Sequence, residues 1–115
     1  MGAGSQDIPP VGHAPVAAMV ESIVGCKWSL AVLAAIRGGA RRPGELERAC
    51  VGISAKVLNQ RLRKMQRFGI LTRRSYPEVP PRVEYDLTEF GEAFTALLDT
   101  IDVLELRVRR GEFES

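Results

Sequence analysis

The stretch SAKVLNQRLRKMQRFG, residues 54–69, decides the fold. Ser54 suits a helix N-cap and Gly69 a helix stop. Between them Val57, Leu58, Leu62, Met65 and Phe68 fall at helical spacing and turn to one side. Just upstream, ARRPGELERAC predicts a shorter helix from Pro43 through Leu46 to about Cys50, with Pro43 in its first turn. Glu45 and Glu47 stand near its N-terminus, where the helix dipole favours acids. Val51-Gly52-Ile53 turns the chain between them. Two helices joined by a short glycine-containing turn make a helix-turn-helix.

Working outward, ILTRRS and RVEYDL after Gly69 read as two strands joined by YPEVPP, whose three prolines make a stiff tip. In the second strand Val83, Tyr85 and Leu87 alternate with Arg82, Glu84 and Asp86, as a half-buried strand requires. A hairpin directly after a helix-turn-helix is the order of a winged helix. Thr88 then caps a long last helix, with Glu89 and Glu92 in its first turns and Arg107, Arg109 and Arg110 in its last. Its apolar residues, Phe90, Phe94, Leu97, Ile101, Leu104 and Val108, repeat as a heptad seam. At 1.5 Å per residue, such a helix runs roughly 33 Å, more than so small a body covers. A second copy of the chain is the economical cover.

Ahead of the helix-turn-helix, PVAAMVESIV (15–24) predicts a short helix with Val16, Met19, Val20 and Ile23 on one side. WSLAVLAAIR (28–37) predicts a core helix, apolar nearly all round, with Ser29 as its cap, Trp28 as a core anchor and Gly38-Gly39 as its end. The expected organisation is an arm over 1–14, a winged helix-turn-helix over 15–110 whose last helix (88–110) dimerises, and a tail over 111–115. The fold class is mainly α with a small β hairpin (α+β), dimerising through its terminal helices. The contact set expected for a homodimer is Val16, Met19, Val20, Phe94, Leu97, Ile101, Leu104 and Val108.

The formal charge of +2 conceals a separation. From Arg37 to Arg82 the net charge is +9, and the rest of the 115 residues carries −7. This builds a basic face from the middle of the chain and an acidic body elsewhere. Within 54–69 the bases Lys56, Arg61, Arg63, Lys64 and Arg67 meet no acid, and the next acid along the chain is Glu78. A solvated helix gains from mixed signs, so an all-basic one points to an anionic partner. Lys56, Asn59, Gln60, Arg63 and Arg67 lie on the side opposite the apolar one. Arginine and lysine neutralise phosphates or read guanine, and the Asn and Gln amides pair with adenine. Double-stranded DNA is the partner this combination fits. Arg41 and Arg42 precede the shorter helix, where phosphate contacts are expected, and Arg74 and Arg82 ride on the hairpin with Arg73.

Other chemistry has little to stand on. His13 is the single histidine, and with two separated cysteines it forms no zinc spacing and no catalytic pair. No glycine-rich phosphate loop is present. No enzyme activity, metal or cofactor is expected. No signal peptide or membrane span is expected either, and a reduced cytoplasmic setting follows. Cys26 neighbours Lys27, a cation that favours the reactive thiolate, so it is the candidate redox residue; Cys50 ends a helix and is the weaker one.

The chain resembles the HxlR family of bacterial winged-helix transcriptional regulators. The resemblance rests on GCKWSLAVLAAI, RPGELERACVGISAKVLNQRLRKMQRFGIL and YPEVPPRVEYDLTEFGEAF, and covers roughly residues 20 to 100. The wing followed by Y-x-L-T-x-x-G (Tyr85, Leu87, Thr88, Gly91) is its most specific part. It implies a homodimeric, sequence-specific DNA-binding regulator, often acting on its own or a neighbouring gene, paired through its first and last helices. On that reading Ser54, Lys56, Asn59, Gln60 and Arg63 face DNA and Arg82 serves the wing. Family members that sense electrophiles or oxidants carry a cysteine ahead of the first helix. Here PPVGHAPV has none, and Cys26 stands where the family usually has glycine. A different class of function, a winged-helix module docking an acidic protein, uses the charge but has no need of Asn59 and Gln60. A small-molecule effector between the dimer helices and the core is a third expectation.

Overall fold

Ser54 starts the central helix. Its hydroxyl accepts the Val57 N–H at 3.1 Å, and the helix, α4 (Ala55–Arg67), ends where Gly69 takes φ +79°. In this computed structural model, which describes residues 14–114, four further helices surround it. They are α1 (Val16–Val24), α2 (Ser29–Arg37), α3 (Pro43–Ala49) and α5 (Glu89–Arg109). Strands β1 (Leu71–Tyr76) and β2 (Arg82–Leu87) pair antiparallel from Leu71 opposite Leu87 to Tyr76 opposite Arg82. Helices with one small hairpin, in winged helix-turn-helix order, are the fold class the pattern predicted. His13 and nearly all of the expected arm lie outside the described residues.

The core collects one face from each element: Met19 and Ile23 of α1, Val32, Leu33 and Ile36 of α2, Leu46 of α3, and Leu58, Leu62 and Met65 of α4. Ile70, Leu71 and Tyr85 close it from the hairpin and Phe94 and Leu98 from α5. Each such side chain contributes about 1.5–3 kcal/mol on burial. On β2 the alternation holds, with Tyr85 buried, flanked by half-buried Val83 and Leu87.

Three local expectations need correction. Ser29 is not the cap of α2. Trp28 holds that position with φ +77°, and Ser29 is fully buried as the first helical residue. Trp28 is half-buried at the core's edge rather than inside it. Nor is α2 enclosed on all sides, because Leu30, Ala31 and Ala34 face outward.

The junction of hairpin and last helix explains the Y-x-L-T-x-x-G pattern. The Thr88 hydroxyl donates to the Gly69 carbonyl and accepts the Gly91 N–H at 2.8 Å, while the Thr88 N–H donates to the Ile70 carbonyl at 3.0 Å. Gly91 is pressed against that same carbonyl. A Cβ there would lie 2.0 Å from the Ile70 oxygen. Glycine is required here because two backbones touch.

Only the first part of α5 rests on the body. Gly91, Phe94, Thr95 and Leu98 are buried, and from Thr100 to Arg110 every residue is exposed. Of the expected contact set, Met19 and Phe94 are therefore spent inside the protomer, each 2% exposed. Their apolar spacing belongs to the core face. The rest of the seam, Leu97, Ile101, Leu104 and Val108, is 36–53% exposed. Val16 of α1 is exposed as well, and Val20 is half-buried. A bidentate ion pair ties α5 to α2, with Arg37 donating to both Asp99 oxygens at 2.7 and 2.8 Å. Residues 111–114 fold back on the helix end, where Arg107 donates to Glu112 at 2.9 Å and stacks over Phe113.

Candidate nucleic-acid interface

The inward side of α4 is fixed by Leu58, Leu62 and Met65, all at most 1% exposed. A helix pinned on that side must show the opposite residues to solvent, and Lys56, Asn59, Gln60, Arg63 and Arg67 are all exposed there. Among the described residues none of the three bases is ion-paired. The face offers three free cations and two amides along about 17 Å of rigid helix. A helix about 10–12 Å across with its side chains fits a B-DNA major groove about 12 Å wide.

The other bases singled out in the sequence stand differently. The Arg41 Nε lies 3.0 Å from Asp86, and its Nη1 donates to the Ile36 carbonyl at 3.3 Å. Arg42 is 3.6 Å from Glu84. Arg82 is 3.1 Å from Glu78 and 3.7 Å from Glu84, and it stacks on the Tyr76 ring at 3.9 Å. Arg41 and Arg42 fasten the start of α3 to the hairpin, and Arg82 braces the hairpin itself. One backbone bond joins them, the Tyr85 N–H donating to the Arg41 carbonyl at 2.8 Å, so the segment before α3 runs along the free edge of β2. That contact pairs residues 44 positions apart, and no local pattern in the sequence marks it.

The N-terminus of α3 is already occupied. The Glu45 carboxylate accepts the Arg41 N–H at 2.8 Å and the Arg42 N–H at 3.1 Å. Those two backbone hydrogen bonds hold the Glu45 pKa below its ordinary value. The Arg41 and Arg42 N–H groups, where phosphate contacts are expected from the sequence, therefore bind the chain's own acid. Arg74 is exposed on the hairpin, opposite Glu84 in register. Its side chain shares a hydrogen bond with Tyr76, which stabilises the guanidinium.

Cys26 sits at the elbow between α1 and α2, half-buried. Burial pushes its thiol pKa up, but a hydrogen bond and charge from Lys64, the charge of Arg61 and a hydrogen bond from Ser29 more than reverse that, so the net shift is downward. An open cleft of about 460 Å³ lies alongside, lined by Val24, Cys26, Trp28 and Leu30 among others. Burial alone raises the pKa of Cys50. Among the described residues no cluster of His, Cys, Asp and Glu is fit to hold a metal ion.

A helix-turn-helix followed by a hairpin recurs in known proteins. The family model described as HxlR-like helix-turn-helix matches residues 23–108. The chain belongs to this family. Among HxlR-like relatives, the uncharacterized HTH-type transcriptional regulator sll1512 of Synechocystis is 42% identical over 87 residues, which cover 76% of this chain and 64% of the relative. YtcD of Bacillus subtilis, also an uncharacterized HTH-type transcriptional regulator, is 37% identical over 79 residues, 69% of this chain and 63% of YtcD. The chain thus spans a little under two thirds of these two relatives. A solved structure described as a MarR-family transcriptional regulator from Enterococcus faecalis V583 superposes with a TM-score of 0.75 at 35% identity, over 84% of this chain and 87% of the other. The HxlR-like match spans α2, α3, α4, the hairpin and nearly all of α5, and only the last two residues of α1.

Proposed function

We propose that this chain is a transcriptional regulator that binds double-stranded DNA as a homodimer in the cytoplasm. Its α4 enters the major groove, and two copies read the halves of an inverted repeat about 34 Å apart. One observation carries the reading. The α4 face presents free bases interleaved with amides, whereas the neighbouring arginines are neutralised by the chain's own acids. Lys56 and Arg67 supply charge to the backbone. Asn59, Gln60 and Arg63 supply donors and acceptors to base edges. The exposed second half of α5 and the open side of α1 supply the surface for pairing through Leu97, Ile101, Leu104, Val108 and Val16.

The test is a gel shift on the DNA upstream of the protein's own gene, with sedimentation to establish the dimer. A retarded band at low salt that weakens steeply as salt rises is expected; no band at low salt would remove the proposal. Docking to an acidic protein is less well supported, because it leaves Asn59 and Gln60 without a task. If Asn59→Ala and Gln60→Ala left all binding untouched, that rival would gain.

Control by thiol chemistry is a second reading favoured by one site. Cys26 is half-buried beside an open cleft, and Lys64 and Arg61 of α4 lower its thiol pKa. Diamide should lower DNA affinity in the parent protein and leave Cys26→Ser unaffected; an unchanged parent would exclude it. A small effector in the cleft beside Cys26 is the remaining candidate for control, and a ligand there would raise the thermal midpoint of the free protein.

A further inference from the structure

Two bases of the opening stretch do not belong to the exposed face. Arg61 and Lys64 are half-buried and point back toward the elbow between α1 and α2. The Arg61 Nε donates to the Lys27 carbonyl at 2.8 Å, and the Lys64 Nζ donates to the Ser22 hydroxyl at 2.9 Å. Three residues apart on α4, they grip one helix and its following turn from the same side. Both bonds are charge-assisted and stronger than neutral ones. Trp28 adds a third tie. Its φ of +77° places the indole against Gly52, where an added Cβ would meet the ring at 3.6 Å. The elbow is thus fastened to α4 and to the turn that precedes it.

We propose that Arg61 and Lys64 are positioning residues that lock α4 to α1 and so set the half-site spacing the protein accepts. The proposal rests on the homodimeric DNA reading above. In that dimer α1 lies at the subunit contact and α4 in the groove, so the angle between them fixes the distance between the two recognition helices. The lever is sensitive. A shift of each α4 by about 1.7 Å along the DNA, half of a ~3.4 Å base-pair step, already changes their separation by one step. Leu58, Leu62 and Met65 hold α4 against the core along one side, so a pivot about that apolar side is the motion left for other contacts to resist. The bonds to Ser22 and Lys27 stand off that axis and oppose the pivot.

The test starts from duplexes that the full-length parent protein retains out of a random pool, resynthesised with the centre lengthened or shortened by one base pair. Affinities are measured across salt concentrations for the parent, Arg61→Met, Lys64→Met and Ser22→Ala. The parent should lose about tenfold for a one-base-pair change, and the three variants no more than about twofold. The slope of log affinity on log salt should stay at the parent value in all three. Ser22→Ala keeps the fold safe and leaves every side chain of α4 in place, so its altered spacing cannot come from a lost DNA contact. A slope reduced by about 0.9 in Arg61→Met or Lys64→Met would make that residue a phosphate contact and overturn the proposal. Unchanged spacer preference in Ser22→Ala and Lys64→Met would overturn it too. A parent that retains no duplex at all would remove the DNA reading itself, and this proposal with it.

Discussion

Two groups of arginines lie close together on this molecule, and they differ in what neutralises them. On α4, Arg63 and Arg67 have no acid within reach among the described residues. At the start of α3 and on the hairpin, Arg41, Arg42 and Arg82 are each matched by Asp86, Glu84 or Glu78. The first group keeps its charge for something outside the protein. The second spends it inside the protein, Arg41 and Arg42 holding the wing against the helix-turn-helix and Arg82 bracing the wing itself. Charge counted along a sequence treats the two alike; only the placement of acids on β2, opposite or beside them, tells them apart.

The largest test of that contrast removes the junction on which the second group depends. Gly91→Ala would force a Cβ to within 2.0 Å of the Ile70 oxygen, so the hairpin and α5 must part. We expect a loss of about 3 kcal/mol in urea unfolding, together with loss of DNA binding. An unchanged unfolding midpoint would mean that the close approach of the two backbones is dispensable.

Next in size is a pair of substitutions, one from each group. Arg63→Ala should cost about 1–3 kcal/mol against the preferred duplex and little against a random one, because what it removes is base reading. Arg42→Ala should behave in the opposite way. It removes one cation, leaves Glu84 to Arg82 alone, and weakens preferred and random duplexes by the same small factor, about 0.5 kcal/mol. Competition binding with both duplexes measures both. Equal selectivity losses in the two variants would erase the distinction between the groups.

Most of the fold could be read from the sequence. Ser54 and Gly69 mark the ends of α4, Thr88 marks the start of α5, and the period of Leu58, Leu62 and Met65 gives the buried side. All of these are local signals. The outward set Lys56, Asn59, Gln60, Arg63 and Arg67 follows from the same period. What the pattern missed is non-local or stereochemical. Arg61 and Lys64 entered only the charge count of α4, with no role assigned, because their partners, Lys27 and Ser22, lie 34 and 42 residues away. Met19 and Phe94 share the apolar spacing of contact residues, yet the body of the protomer reaches far enough to bury them. Trp28 in place of Ser29 at the head of α2 depends on a left-handed backbone that no side-chain pattern announces.

The smallest expected effect concerns Glu45, which caps α3 while its neighbours Arg41 and Arg42 bind the wing. Its carboxyl titrates below the ordinary glutamate range because two backbone N–H groups bond to the ionised form. A group whose folded pKa is depressed stabilises the fold fully above its unfolded pKa and loses that contribution as pH falls through the folded value. Stability of the parent should therefore decline on acidification below the glutamate range, by a margin that Glu45→Gln lacks. The variant should be the less stable protein at neutral pH and approach the parent in acid. Thermal midpoints of both proteins from neutral pH down to the acid limit read the difference. Parallel curves would mean that the cap contributes through shape alone, and that the start of α3 is held by Asp86 and Glu84 on Arg41 and Arg42. The wing contacts would then carry the local fold as well as the position of the hairpin.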